Sequence, residues 1–177
     1  AIDAGLSWPQ GVTLDSMGNL IIADTFNHCV RKVDTVGIIT TIAGNGIAGP
    51  AAENVPAVET SLNAPAYAAV DKDGNIYIAD TNNNRLRRVD SRKHIITTVA
   101  GTGTVNGYER FFANGSYCGD GGPATQDCID TPEGVAVSEE GELYITEGHH
   151  RLRKVDRNGI ISTVTDPLSM GNFSFMT

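Results

Sequence analysis

Acidic and basic side chains recur in register at three places along the sequence, and they are the first candidates for chemistry. Each acid is followed six or seven residues later by an arginine: Asp24 and Arg31, Asp80 and Arg87, Glu147 and Arg153. On neighbouring strands, a carboxylate and a guanidinium form charge-assisted hydrogen bonds, either across one sheet or to the next sheet. Because one site rarely needs three copies of a pair, we expect these residues to be structural. A substrate-binding ring of charges is the alternative.

Histidines are the next candidates, as metal ligands. His28 and His150 hold the same place in two of the repeated segments, where the remaining segment has Asn84, and His149 adjoins His150. Neighbouring residues on a strand point to opposite faces, which opposes joint ligation of one metal ion. We therefore expect His28 and Asn84 to bond to the backbone, and we predict neither a metal nor a cofactor.

Cysteines and glycosylation sequons bear on the compartment. Cys118 and Cys128 lie ten residues apart and can pair locally, which leaves Cys29 as an inert, half-buried thiol. No Cys-x-x-Cys or Cys-x-x-His unit indicates zinc. Asn114 and Asn172 open Asn-x-Ser sequons. Together these features favour an extracellular or lumenal setting, with the cytoplasm as the alternative.

Aromatic residues are concentrated in one nonrepeating stretch, between residues 103 and 127. Its four aromatics lie within ten residues: Tyr108, Phe111, Phe112 and Tyr117. On an inserted loop, aromatic side chains suit an interface, because each removes a large area from water and freezes few rotors. The alternative is a loop that packs on its own domain. We expect Trp8, the single tryptophan, to pack in the core or between sheets.

The elements that position these residues belong to a threefold repeat. Residues 18–25 recur as 74–81 and, altered, as 141–148, and the proline that opens each copy is Pro9, Pro65 or Pro132. Each copy contains four short β-prone runs separated by turn residues, which leaves no room for a helix of about ten residues. In the second copy the predicted strands are 66–70, 75–79, 85–89 and 95–100. A β-propeller blade is a sheet of four antiparallel strands, so each repeat is predicted to form one blade.

Composition excludes several classes of protein. The 177 residues carry a net charge of −8, which opposes binding to nucleic acid because phosphate contacts need clustered Lys and Arg. Hydrophobic residues make up 40%, enough to build a core. No run approaches about 18 uninterrupted apolar residues, so we predict no membrane-spanning helix.

The repeats resemble the NHL repeats of β-propeller proteins. The motifs that carry the likeness are Pro-x-Gly-Val-x-x-Asp at 9–15 and Gly-Asn-x-x-x-Ala-Asp-Thr-x-Asn at 18–27 and 74–83. The Gly-Asp-Gly-Gly-Pro-Ala-Thr stretch at 119–125 resembles a linker between NHL blades. Departures occur at 66–67 and 146–148, and they affect local turns only. The resemblance implies an all-β fold with three four-stranded antiparallel blades, a partial arc of a six-bladed propeller.

The predicted blades span approximately 8–47, 64–104 and 131–165, with long insertions at 47–63 and 103–130. Residues 1–11 align with 124–134, so we expect residue 1 to lie inside a linker between blades. Three blades leave two apolar faces uncovered, so we expect them to be covered by further blades of a longer chain or by a second copy that closes a ring.

The resemblance implies a non-catalytic module for protein–protein contact or structural assembly within a larger extracellular protein. The alternative is part of a six-bladed lyase or lactonase whose metal site is completed by blades outside this sequence.

Overall fold

Three antiparallel β-sheets make up the fold. The structure is a computed structural model that describes residues 4–103, 119–148 and 151–165. Each sheet is built from four strands that follow one another along the chain, and the second sheet has a short fifth strand at its edge. The described helical segments are two three-residue 3₁₀ turns. The predicted all-β fold of three four-stranded antiparallel sheets is therefore confirmed.

The sheets are named blades 1, 2 and 3 in chain order. Blade 1 contains β1 (Pro9–Leu14), β2 (Leu20–Asp24), β3 (Cys29–Val33) and β4 (Ile39–Ala43). Blade 2 contains β6 (Tyr67–Val70), β7 (Ile76–Asp80), β8 (Arg85–Val89) and β9 (Ile95–Ala100), with a short strand β5 (Val55–Pro56) added at its outer edge. Blade 3 contains β10 (Pro132–Val137), β11 (Leu143–Glu147), β12 (Leu152–Val155) and β13 (Ile161–Thr165).

Two apolar layers hold the blades together, and each forms between facing sheets. The layer between blades 1 and 2 is built around Ile21, Val30, Ile78 and Ile96, all at most 2% exposed. The layer between blades 2 and 3 includes Leu86, Val135, Ile145 and Ile161. Strand residues alternate between the two faces of a sheet, so blade 2, in the middle, buries both of its faces.

The linker before each of the later blades completes that blade. Val55 and Pro56 pair with Ile96 and Ile95 of β9, which makes the second sheet five-stranded. Pro123 bridges to Ile160 in the same way beside blade 3. The segments expected to be insertions between blades therefore also pair with the outer edge of the following blade, through a two-residue strand in blade 2 and a single bridge in blade 3.

Candidate functional site

The acid and the arginine of each repeat lie together within one blade. The register pairs Ile78 with Arg87 and Asp80 with Arg85, so Asp80 and Arg87 are diagonal neighbours on adjacent strands. The nearest nitrogen–oxygen distances are 3.7 Å for Arg31 and Asp24, 3.9 Å for Arg87 and Asp80, and 3.6 Å for Arg153 and Glu147. All except Arg31 are buried. A charge buried in this way needs a partner, because desolvation alone costs several kcal/mol per ion.

The carboxylate of each pair also fixes the chain just before its blade begins. Asp80 accepts a hydrogen bond from the backbone N–H of Asn63 at 2.8 Å and another from the amide of Asn83 at 2.9 Å. Asp24 accepts the N–H of Ser7 at 2.7 Å in the same way. Burial raises the pKa of Asp80 from 3.8 to about 6, although these hydrogen bonds and Arg87 pull it down.

A second set of polar contacts crosses from one blade to the next. The hydroxyls of Thr25 and Thr81 donate to the backbone carbonyls of Pro65 and Pro132 at 2.9 and 2.8 Å. Gly148 holds the corresponding place in blade 3 and has no hydroxyl. These hydrogen bonds join the β2–β3 and β7–β8 turns to the first residues of the following blade.

His28 and Asn84 form a second hydrogen bond at each of these boundaries between neighbouring blades, which we call seams. Nδ1 of His28 accepts the N–H of Ala64 at 3.1 Å, and Oδ1 of Asn84 accepts the N–H of Thr131 at 2.8 Å. Both side chains come from residues with left-handed backbone, φ near 50°. The two residue types are interchangeable here because each offers one short acceptor to a backbone donor.

The arginines of blades 2 and 3 also bind the linker that precedes their own blade. Arg87 donates to the carbonyl of Ala52 and lies 3.4 Å from the carboxylate of Glu53, which also accepts the hydroxyl of Thr98. In blade 3 the same three contacts recur: Arg153 with Gly119 at 2.9 Å, Arg153 with Asp120 at 3.2 Å, and Thr163 with Asp120 at 3.0 Å. The acid, the carbonyl and the threonine thus form a linker clasp around each buried arginine.

Blade 1 presents an apolar sheet face that has no neighbour within the described residues. We call the side chains on it the head face: Val12, Leu14, Leu20 and Arg31. Val12 is 57% exposed, whereas Ala68 and Val135, its counterparts in blades 2 and 3, are 2% and 6% exposed. Blade 3 presents the opposite kind of face, the tail face, formed by Ala136, Tyr144, Thr146 and Leu152.

Trp8 stands immediately before β1. It is 67% exposed and stacks on Phe26, with ring centroids 5.8 Å apart and planes 20° apart. Ala64 and Thr131 hold the same place at the seams that are covered. Trp8 is therefore not part of the described core, because it lies at the uncovered edge of blade 1, and the expectation that it packs between sheets stays a prediction.

Cys29 is buried and lies 3.9 Å from a carboxylate oxygen of Asp24. Burial raises the pKa of its thiol, and the nearby carboxylate raises it further. A neutral thiol of this kind is a weak nucleophile.

Several predicted residues lie outside the described part of the chain. They are the aromatic set Tyr108, Phe111, Phe112 and Tyr117, together with Asn114, Cys118, His149, His150 and Asn172. The interaction loop, the Cys118–Cys128 disulfide and both glycosylation sites therefore stay predictions.

Neither a metal cluster nor a membrane helix is present in the described residues. Within 4–103, 119–148 and 151–165, no three His, Cys, Asp or Glu side chains are grouped so that they could hold a metal ion. No helix in those ranges is long and apolar enough to cross a membrane.

Sequence reasoning missed the interblade threonines and the linker clasp. Thr25 and Thr81 were visible as repeated residues, but their acceptors lie 40 and 51 residues away. Glu53 and Asp120 stand one residue before positions with positive φ, Asn54 and Gly121, and three before a proline. That shared spacing was a signal available in the sequence.

Comparison with known families matches both the repeats and the longer unit. A family described as NHL repeat matches residues 6–33 and 62–89, and one described as Teneurin NHL domain matches residues 104–171. The chain is 34% identical over 166 residues to Teneurin-3 of Danio rerio and 35% identical over 188 residues to Teneurin-1 of Gallus gallus. These alignments cover 88% and 96% of this chain but only 5% and 6% of the relatives.

Solved structures share the fold at low sequence identity. A streptogramin B lyase matches with a TM-score of 0.60 at 16% identity, over 93% of this chain and 43% of the other. A gluconolactonase from Xanthomonas campestris matches with a TM-score of 0.59 at 13% identity, over 92% of this chain and 48% of the other. Identities this low carry the fold and nothing about activity.

Stacked four-stranded blades, joined by repeated polar contacts at their seams, define a segment of a β-propeller. The chain belongs to the NHL-repeat β-propeller family.

Proposed function

We propose that this chain is an assembly module that docks onto further NHL-type blades through its head and tail faces. The single observation that carries the proposal is the exposure of Val12, 57%, against 2% and 6% at the matched positions of the two covered seams. An apolar surface of this kind is buried in blades 2 and 3 and costs free energy when left in water.

The head face and the tail face are complementary because they repeat the two faces that pack together between blades 2 and 3. Val135 and Leu143 of blade 3 pack on the layer that contains Ala69 and Tyr77 of blade 2. Val12 and Leu20 repeat the first pair on the head face, and Ala136 and Tyr144 repeat the second pair on the tail face. A head face therefore fits a tail face by the contacts that already join blade 3 to blade 2.

Relative length supports the same proposal. The chain covers between 32% and 50% of solved structures that share its fold, so about one to two times as much chain again is needed to complete a comparable structure. Either further blades of a longer chain or a second copy can supply it, and head-to-tail docking of two copies closes with twofold symmetry. The lyase or lactonase alternative has no described residue set that favours it.

Sedimentation of the 177-residue chain over a range of concentrations tests the proposal. We expect reversible self-association that Val12→Asp weakens at least tenfold, because a carboxylate would be desolvated in an apolar seam. Ser16→Asp adds the same charge in the exposed β1–β2 turn and should leave association unchanged.

Mixing two variants tests the head-to-tail geometry. Val12→Asp blocks the head face and Ala136→Asp blocks the tail face, so each variant alone should stay monomeric. Mixed, they retain one intact head face and one intact tail face and should form an open dimer. A wild-type chain that stays monomeric at all soluble concentrations would contradict docking between copies.

The aromatic stretch is a second proposed contact, with protein partners in an extracellular setting. The four aromatics within ten residues support it, as do the two sequons for the compartment. Deleting residues 108–117 should lower capture of partners from native extract, and undiminished capture would count against this loop. Electrophoretic mobility after deglycosylation of the secreted chain tests Asn114 and Asn172.

A further inference from the structure

The linker clasp of blades 2 and 3 has a counterpart in blade 1 that lacks its linker within the described residues. Arg31 and Thr41 hold the places of Arg87 and Thr98, since both pairs are direct neighbours across the third and fourth strands. The side chain of Arg31 is 20% exposed, whereas those of Arg87 and Arg153 are 0% exposed. Its only ion-pair partner in the described residues is Asp24.

From this repetition we infer that Arg31 and Thr41 form a binding socket for a short acidic peptide segment laid beside β4. The acidic side chain contacts the guanidinium and the threonine hydroxyl, and the preceding carbonyl accepts a further N–H of the arginine. Both filled copies show these contacts, to Ala52 and Glu53 in blade 2 and to Gly119 and Asp120 in blade 3.

Backbone pairing fixes the direction and register of the bound segment. The residue after the acid, Asn54 or Gly121, has positive φ and donates its N–H to the carbonyl of Ile96 or Ile161. Ile39 occupies the same register position in β4, where it pairs with Val33 as Ile96 pairs with Val89. The segment therefore adds a short edge strand, a recognised mode of peptide binding.

The two filled copies define the occupant as an acidic residue that is followed first by a residue with positive φ and, three residues after the acid, by a proline. Residues 119–123, Gly-Asp-Gly-Gly-Pro, satisfy every position and precede Ala124, with which Ala1 aligns. Gly121 adopts a φ of 85°, which glycine tolerates at little cost. A simple carboxylate would make the ion pair without the backbone register.

A chain extended before Ala1 by Gly-Asp-Gly-Gly-Pro tests the socket, with Gly-Asn-Gly-Gly-Pro as the matched control. We expect the Asp extension to raise Tm by about 2–4 °C over the Asn extension, because a charge-assisted contact is gained. Arg31→Gln should abolish that difference and Thr41→Val should reduce it. Equal Tm values for the two extensions would overturn the inference.

Titration of the unextended chain with a capped Gly-Asp-Gly-Gly-Pro-Ala peptide supplies a direct readout. The Arg31 Nε–H resonance, assigned by its loss in Arg31→Lys, should shift with this peptide and stay in place with the Asn peptide. Acetate at the same concentration should move it less than the peptide does. An equal shift with acetate would show a general anion site and overturn peptide recognition. Both measurements use concentrations at which sedimentation shows one species, so they do not depend on docking between blades.

Discussion

At the scale of single residues, the seams are held by small polar groups with exact partners. Thr25 and Thr81 each donate one hydroxyl to a proline carbonyl of the next blade, and His28 and Asn84 each accept one backbone N–H. Leaving a buried donor or acceptor without a partner costs more free energy than its hydrogen bond contributes to stability. The seam contacts therefore act mainly by specifying which blade position meets which.

Thr81→Val tests this view of the seam. The substitution keeps the shape of the side chain but leaves the carbonyl of Pro132 without its donor, so the free energy of unfolding should fall by about 1–3 kcal/mol. Thr40→Val on the exposed face of β4 should change it by less than about 0.5 kcal/mol. Urea unfolding measures both, and equal effects would show that the hydroxyl contributes nothing at the seam.

Asp80 gives a pH-dependent prediction. Its pKa of about 6 in the folded chain lies above the ordinary 3.8, so the folded state binds the proton more tightly than the unfolded state. That contribution is present below pH 3.8 and is lost as pH rises through 6. Relative to wild type, Asp80→Asn should therefore gain about 2 kcal/mol in unfolding free energy between pH 4 and pH 7. Parallel pH curves from urea unfolding would contradict it.

At the scale of elements, sequence alone predicts the strands well. In the second repeat the predicted runs 85–89 and 95–100 match β8 and β9, and 66–70 and 75–79 differ from β6 and β7 by one residue. The alternation of apolar and polar residues and the turn residues are local signals, so they can be recognised without knowledge of the fold.

The linkers illustrate what local signals cannot show. Arg87 contacts Ala52 and Glu53, 35 and 34 residues earlier, and the two linkers share little sequence apart from the acid and the Pro-Ala that begins three residues after it. Their convergence on an arginine depends on how the chain returns to the outer edge of each blade. The exposure of Trp8 was missed for a related reason, because an aromatic residue at a seam is buried only when the seam has two sides.

Gly101 tests the close approach between the end of one blade and its own turn. It has a φ of 88°, and an added Cβ would lie 2.3 Å from the backbone carbonyl oxygen of Asn84. Gly101→Ala should therefore cost about 3 kcal/mol or more. Gly141 shares the positive φ but has nothing within 4 Å in the described residues, so Gly141→Ala should cost about 1 kcal/mol. Similar losses of Tm in the two variants would show that the positive φ alone, and not the close approach to Asn84, determines the cost of Gly101→Ala.

At the scale of the whole molecule, one position reports whether a blade face is covered. Val12 and Val135 are equivalent in the repeat, yet one is 57% and the other 6% exposed. In dilute solution, Val135→Ala should cost about 1–3 kcal/mol and Val12→Ala less than about 0.5 kcal/mol. At concentrations where chains associate, Val12→Ala should lower the thermal stability as well. Thermal unfolding measured at a low and a high protein concentration distinguishes the monomeric from the associated chain.

Gly148 sets a mechanical property of any ring that includes this arc. The first two blades each hold the next with a threonine hydroxyl, and the third has none to offer. When such a ring is pulled or heated, the boundary after blade 3 lacks the threonine hydrogen bond that joins blade 1 to blade 2 and blade 2 to blade 3, so we expect separation to begin there.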